Sequence, residues 1–483
     1  MITPELKPIL IFLIALFSTL FTLPKLANIA KKINLLDLPN HRKMHAVPKP
    51  LVGGFGFVLS ACFAAALMVP ATGLRGFFAG LALMLFIGFL DDLKELGHRH
   101  KFIGQIFAVS LLIYFSHVRL ISFGDLLGIG ELTIPGYWFS VLVSIFCLLG
   151  VINSINLIDG LDGLAGGISF VAFIILATHA AFAQNQTFLL LNLAFSGALL
   201  GFIRFNWCPA TLFMGDAGSL CLGFTLGFMA LAMTQGENAC MPPISALLIL
   251  AVPISDTLTV MTKRIIHGKS PFHPDNHHLH HIFMRYGFGR VPTVKIIISL
   301  STILGCISLL GPVYDLKDST LFLLFVFYFA IYFISSFFIL DFLRYNYRFR
   351  RKRDSCGAPS QFLKRLFQLL DIINIIRKDT RYDVSIPIKC CSADTKKYFE
   401  GNIINISRSG FMASIPQLAT LRSDFSVGIS FDTQHFTNTS AMQLSTEHLW
   451  ISTMDGEQVH GFQFVNLTSQ QKDELYQFID NLK

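Results

Sequence analysis

Acids, amides and histidines of this chain collect at the ends of long apolar stretches, where a sequence built for lipid would otherwise shed them. Asp91 and Asp92 follow directly on the run ALMLFIGFL. Two adjacent carboxylates repel unless a cation or a shared proton lies beside them, so a metal is favoured over an ordinary helix-end charge. In NSINLIDGLDGLAGG, residues Asn153, Asn156, Asp159 and Asp162 recur at every third position and on a helix would wind as a polar ridge. Gly160, Gly163, Gly166 and Gly167 allow close approach of backbone or ligand, although tight helix packing in lipid also accounts for the last two. Asp216 stands between two glycines in FMGDAGS, at the start of another apolar stretch and poised to reach a metal. The segment PFHPDNHHLHHIF carries His277, His278, His280 and His281. Zinc is one use of such a cluster. With carboxylates rather than thiolates nearby, Mg²⁺ held by Asp, with His and Lys on phosphate, fits better. The chemistry implied is a divalent metal and a phosphate-bearing substrate handled where water meets lipid.

The elements that must position these residues are membrane helices. Of 483 residues, 53% are hydrophobic and 14% charged, with a mean hydropathy of +0.58; soluble domains carry roughly 25% charge. At about 20 apolar residues per crossing, the chain reads as about eleven transmembrane helices. They lie near residues 8–24, 51–70, 74–90, 102–118, 137–152, 164–183, 188–203, 217–235, 244–262, 294–312 and 319–342. The first has no small-residue cleavage site and reads as a retained helix. Lys25, Lys31, Lys32, Arg42, Lys43 and Lys49 crowd one loop, and Lys263, Arg264, Lys269, Arg285 and Arg290 another. Both fall on the side of Asp91, which makes that side cytoplasmic, the N-terminus external and the long tail internal. The net charge of +8 is then a topology signal with a secondary affinity for anionic lipid, and a nucleic-acid partner is not expected. The nine cysteines lack metal-ligand spacing and read as reduced thiols.

Hydropathy stops after Asp341, where Arg344, Arg348, Arg350, Arg351, Lys352 and Arg353 form a basic flank suited to anionic headgroups. Residues 346–376 read as a basic and amphipathic linker, with Phe362, Leu366, Leu369, Leu370 and Ile373 at helical spacing. Segments 383–390, 399–406, 424–431, 446–453 and 458–465 then read as short strands. A closing helix follows, with Thr468 and Gln471 as a capping box and Leu475, Phe478, Ile479 and Leu482 on one face. The fold class expected is a polytopic α-helical membrane domain over 1–345 and a small cytoplasmic β-barrel over 377–483.

Six segments in order resemble the polyprenyl-phosphate N-acetylhexosamine-1-phosphate transferases: DLPNHRKMH with PKPLVGG (37–54), FIGFLDD (86–92), KFIGQ (101–105), NSINLIDGLDGLAGG (153–167), FMGDAGSL (213–220) and PFHPDNHHLHHIFM (271–284). The histidine segment resembles the bacterial branch that uses UDP-N-acetylglucosamine-type donors more than the phospho-MurNAc-pentapeptide branch. The resemblance implies a bacterial inner-membrane enzyme that moves a sugar 1-phosphate from a UDP-N-acetylhexosamine to undecaprenyl phosphate, releasing UMP and beginning a cell-surface polysaccharide. It implies Mg²⁺, or Mn²⁺ in its place, on Asp216, with Asp92 and Asp91 near the metal and the lipid phosphate. Asp91, Asp92, Asp159, His280 and His281 are the catalytic candidates. Asn156, Lys101, Arg42, Lys43, His45, His277 and His278 would bind substrate, and a homodimer is left open. Such chemistry needs positioning and charge neutralisation more than a strong base, because a phosphate nucleophile is already ionised near neutral pH.

The tail carries Arg377 and Arg381 as an RxxxR pattern, and Asn405, Ser407 and Gly410 as an NxSxxG pattern. Together these resemble a PilZ domain. The resemblance implies cyclic di-GMP binding, with guanidinium groups on phosphate and guanine. Two other classes compete: a transporter, and a cyclic di-GMP receptor without transferase activity. Pumps place ionisable groups near mid-membrane and often show repeated halves. Here the acids fall at the ends of the apolar segments and no repeat is visible, while the retained acids and histidines speak against a pure receptor.

Overall fold

The computed structural model describes residues 5–37, 48–70, 73–94, 96–236, 239–266, 268, 270, 278–285, 288–351, 382–392, 398–408, 410–415, 426–431, 442–454, 457–465 and 467–480. Arg42, Lys43, His45, His277, Arg377 and Arg381, and most of the 346–376 linker, lie outside them. The chain divides into two units, Met1–Gly357 and Ala358–Lys483.

In the first unit, α1 (Lys7–Lys32) leads to a two-stranded antiparallel hairpin of β1 (Leu36–Asp37) and β2 (Lys49–Pro50). Then follow α2 (Gly53–Met68), α3 (Arg75–Lys94), α4 (His98–Ser116), α5 (Tyr137–Ile158), α6 (Leu164–Phe182), α7 (Gln186–Asn206) and α8 (Gly215–Ala232). The unit continues with α9 (Pro243–Ile249), α10 (Ala251–Ile266), α11 (Leu279–Arg285), α12 (Arg290–Tyr314) and α13 (Asp318–Arg351). Each of the eleven apolar segments is helical. Among the described residues, eight helices are long and apolar enough to cross a membrane, and nine if α9 and α10, bent by 75°, make one broken span. The two remaining segments fall short for physical reasons. Helix α2 has only 16 residues, and α4 begins with His98, Arg99, His100 and Lys101.

Helix α8 is the hub. Of its apolar window 83% is buried, against 22% for α1 and α13, which face outward. Without a hydrophobic drive between helices in lipid, close packing depends on small residues. A Cβ on Gly54 would lie 2.4 Å from the Gly218 Cα, and one on Gly88 would lie 2.3 Å from the Ala217 Cα. These contacts draw α2 and α3 onto the first turn of α8. Deeper in, Phe77 stacks on Phe228 with centroids 4.6 Å apart, and Phe173 stacks on Phe195 at 5.4 Å.

The polar segment 153–162 departs from the single ridge expected. Helix α5 ends at Ile158, Gly160 N–H turns back to the Ile158 carbonyl at 2.8 Å, and Gly163 adopts φ +81° before α6. Asn153 and Asn156 therefore sit on a helix, while Asp159 and Asp162 sit in the turn. The Asp-Gly-Leu-Asp-Gly run is the cause, since glycine enters such turns without steric cost.

The second unit is a closed antiparallel barrel in the order β3-β4-β5-β8-β7-β6, formed by β3 (Tyr382–Ser392), β4 (Tyr398–Ile406), β5 (Gly410–Ser414), β6 (Ser426–Phe431), β7 (Met442–Met454) and β8 (Glu457–Phe464). Five strands coincide with those expected, and β5 is additional; its five residues are too short to show alternation. Ile388, Ile403, Phe411 and Phe462 fill the interior together with Leu475 and Ile479 of α14 (Ser469–Asp480). The capping box forms: Gln471 N–H donates to Thr468 Oγ1 at 3.2 Å, and Thr468 N–H to Gln471 Oε1 at 2.9 Å.

Because Gly88 lies against the α8 backbone, Gly88→Ala is expected to destabilise the membrane unit by about 1–3 kcal/mol through overpacking. A lowered Tm of the purified full-length protein checks this.

Candidate active site

Helix α3 ends in two carboxylates with different tasks. Asp92 turns to the start of α8, where its Oδ1 accepts from Asp216 N–H at 2.7 Å and its Oδ2 from Ala217 N–H at 3.1 Å. These amides belong to the unpaired first turn of α8, so Asp92 caps that helix from a neighbouring one and opposes its dipole. Gly215 makes room for the cap: it holds φ +73°, and a Cβ there would lie 2.6 Å from Asp92 Oδ2. Asp92, expected beside the metal, accepts with both oxygens from the start of α8 and so holds the Asp216 backbone.

Asp91 faces α4. Lys101 Nζ lies 2.8 Å from Asp91 Oδ2 and 2.8 Å from Asp216 Oδ1, so one ammonium bridges two carboxylates from separate helices. Asp91 is buried, at 7% exposure, while the Asp216 side chain at 35% is the open edge of the pair. From α5, Asn156 Nδ2 donates to Asp216 Oδ1 at 2.6 Å and to Ser219 Oγ at 2.8 Å. One turn earlier, Asn153 Nδ2 donates to Gln105 Oε1 of α4 at 2.9 Å. The ends of α3, α4, α5 and α8 are thereby tied around one charged centre.

The Asp159 turn lies beside that centre. Burial, together with the nearby Asp216 and Asp162 carboxylates, pushes the Asp159 carboxyl up to about 7. Asp162 plays a structural part: its Oδ2 accepts from Ala210 N–H at 2.9 Å, and Asn206 Oδ1 accepts from Gly163 N–H at 2.9 Å, pinning the turn to the loop before α8.

The histidine segment packs onto the same turn. A Cβ on Gly160 would lie 2.3 Å from His280 Nε2, so the ring sits directly over this glycine. His280 is 2% exposed, and burial, followed by the neighbouring His281, lowers it to about 3, leaving a neutral imidazole at physiological pH. His278 and His280 are parallel with centroids 6.0 Å apart, and His281 lies 4.2 Å from His280.

Sequence reasoning missed Asp256. It is buried within α10 and contacts His278 Nδ1, Leu279 N–H and Tyr332 Oη. An acid inside an apolar span was the available signal, and its place there corrects the expectation that the acids sit only at span ends. Ser219 and Asn206 were also passed over; as single polar residues in apolar surroundings they announce nothing.

In the barrel, Ser407 donates through both N–H and Oγ to the Gly410 carbonyl, at 2.8 and 3.0 Å, closing a tight turn. A Cβ on Gly410 would lie 2.2 Å from the Phe462 carbonyl oxygen. Asn405 is buried on the preceding strand, its Nδ2 on Met412 Sδ at 4.0 Å.

Known proteins match the two units separately. Residues 74–234 match Glycosyl transferase family 4, and residues 375–481 match the PilZ domain. The undecaprenyl-phosphate α-N-acetylglucosaminyl 1-phosphate transferase of Escherichia coli O157:H7 is 31% identical over 360 residues, covering 73% of this chain and 92% of that protein. Its namesake from Pasteurella multocida (strain Pm70) is 33% identical, covering 68% and 92%. The chain belongs to this transferase family. It is a polytopic membrane member of glycosyl transferase family 4 that carries a C-terminal PilZ domain. Among solved structures, the PilZ domain with c-di-GMP of YcgR from Escherichia coli matches 22% of this chain and 90% of its own, with 16% identity and a TM-score of 0.19. The centre around Lys101 draws Asp91, Asp92 and Asp216 from the part of the transferase unit that carries the family match.

Two outcomes follow from the turn. The Asp159 carboxyl is harder to ionise in the folded protein than in the unfolded chain, so its ionisation costs stability progressively as pH rises from about 4 to about 7, and the cost levels off above that. Asp159→Asn is therefore expected to raise Tm at pH 8 and leave it unchanged below about pH 4, by thermal melts across that range. Gly160→Ala drives a methyl into His280, and transfer activity is expected to fall at least about tenfold, as for small displacements of positioned groups.

Proposed function

We propose that the membrane unit transfers N-acetylglucosamine 1-phosphate from its UDP donor to undecaprenyl phosphate, releasing UMP and starting a surface polysaccharide such as an exopolysaccharide or lipopolysaccharide. The observation that carries this reading is Lys101, held between Asp91 and Asp216 where four helices end. A phosphate oxygen of the lipid attacks the sugar-bearing phosphorus; a new P–O bond forms, and the bond to the bridging oxygen breaks and leaves with UMP. Both reactants are anions, so the first requirement is to lower their mutual repulsion. The Lys101 ammonium does so at a fixed point, and Asn156 and Asp159 orient the nucleotide beside it. Asp91 takes the proton from any acceptor phosphate that arrives protonated. The relatives are named for N-acetylglucosamine, which supports that donor over a phospho-MurNAc-pentapeptide.

The centre fits Mg²⁺ by its donor chemistry. Among the described residues, no three His, Cys, Asp or Glu side chains converge as a ready cage. Mg²⁺, however, is ordinarily held by one or two carboxylates plus substrate phosphates and water. Asp216, the open edge of the pair, would supply a carboxylate with Asp91 beside it, the Lys101 ammonium staying between the two. Bound there, the ion would neutralise charge on the diphosphate.

The site faces the cytoplasm of a bacterial inner membrane in this reading. Support comes from Lys31 and Lys32 of α1, Lys94 of α3, Lys263 and Arg264 of α10 and Arg290 of α12, which all lie towards the site's end of their helices. The PilZ domain, whose match spans Arg377, Arg381, Asn405, Ser407 and Gly410, is read as a cyclic di-GMP receptor that adjusts the transferase.

Purified protein supplied with undecaprenyl phosphate, Mg²⁺ and a panel of UDP-sugars should release UMP, fastest with UDP-N-acetylglucosamine. Asp216→Asn should cost at least about 100-fold in rate, the scale seen when a preorganised charge-stabilising group is removed. Full rate in that variant refutes the assignment. Calorimetry on the full-length protein should show cyclic di-GMP binding that Arg381→Ala weakens; equal binding by the variant removes the tail's proposed role.

A further inference from the structure

Asp256 is buried in α10 at 1% exposure, far along the chain from the acids that form the charged centre. A carboxylate within an apolar span is costly, and such residues persist where they serve a site. Its surroundings are complete. Oδ2 lies 2.8 Å from His278 Nδ1, and Oδ1 accepts from Leu279 N–H at 2.8 Å and from Tyr332 Oη at 2.7 Å. Two of these partners begin the histidine segment, and the third reaches across from α13. Asp256 therefore grips α11 by both side chain and backbone, while Tyr332 fixes the carboxylate.

We propose that Asp256, braced by Tyr332, is a positioning residue for the transfer reaction: it locks the His278 ring and the first turn of α11, and so presents the histidine segment to the donor diphosphate. The role of the diphosphate rests on the function proposed above; the lock itself does not. A carboxylate on Nδ1 requires the proton on that nitrogen, which leaves Nε2 on the side of the ring away from Asp256 and, in the neutral ring, an acceptor. The parallel His280 ring is set by the same grip, since its segment starts at the anchored Leu279 amide. Among the described residues, His280 Nδ1 is buried without a hydrogen-bond partner. A ring in that state keeps its place through packing and through the anchored segment before it, so loosening the Asp256 grip frees both rings.

Two measurements test this. Asp256→Asn keeps the volume but cannot accept from all three donors. Its kcat/KM for the UDP-sugar should fall about 10- to 100-fold, as when an outer partner of a functional histidine is lost. Tyr332→Phe should fall in the same direction but less. The loss from Asp256→Asn should shrink clearly in a His278→Ala background, because the two residues act through one contact. Wild-type rates in Asp256→Asn, or the same fold-loss in both backgrounds, would overturn the positioning role. Independently of turnover, ¹⁵N-histidine NMR of the full-length protein should show His278 with its proton on Nδ1. A neutral ring protonated only on Nε2 refutes the lock even in an active enzyme. Wild-type protein that turns over no UDP-sugar, yet shows the Nδ1–H ring, would sink the proposed function and leave the lock standing.

Discussion

Carboxylates from different membrane helices that share a partly buried site need a cation or a shared proton to offset their repulsion, and Lys101 supplies the cation between Asp91 and Asp216. At an effective dielectric near 20, two unit charges 4 Å apart interact by about 4 kcal/mol. That repulsion would push the ends of α3 and α8 apart, whereas the ammonium converts it into an attraction through α4. The remaining polar contacts can be understood as means of holding this arrangement. Asp92 caps α8 so that Asp216 cannot drift, and Asn156 adds a hydrogen bond to the same carboxylate oxygen that receives Lys101.

Such precision needs backbones closer than ordinary side chains permit. Gly54 and Gly88 let α2 and α3 rest on the first turn of α8, and Gly215 leaves the Asp92 carboxylate room. The bilayer makes this packing the main source of helix affinity, because lipid tails solvate apolar side chains as well as other helices do. Small residues and charged residues thus collaborate: the former set the distance, the latter the register.

A second polar system stands behind the first. Asp162 and Asn206 pin the turn that carries Asp159, Gly160 receives the His280 ring, and Asp256 holds the segment to which His280 belongs. Elements separated by more than a hundred residues in sequence therefore meet around the same turn. A site assembled this way is shaped largely by what supports it, since loop segments have little rigidity of their own.

What the sequence determined by itself was chemistry and periodicity. The acids after FIGFL, the FMGDAGS glycines and the histidine run stood out because lipid-facing sequence excludes such residues, and the strands of the tail stood out by their period and punctuation. Apolar length marked the helices, although α2 and α4 show that the same length can end in a helix too short or too polar to pass as a span. Only the tertiary structure decided which acid does what. Asp91 and Asp92 are neighbours in sequence, yet one faces an ammonium and the other two backbone amides, because a one-residue step turns a side chain through about 100° of helix. Likewise, an acid inside an apolar span marks Asp256 as unusual but does not say what it holds; its partners come from α11 and α13, and long-range contacts of that kind leave no periodic trace in the chain.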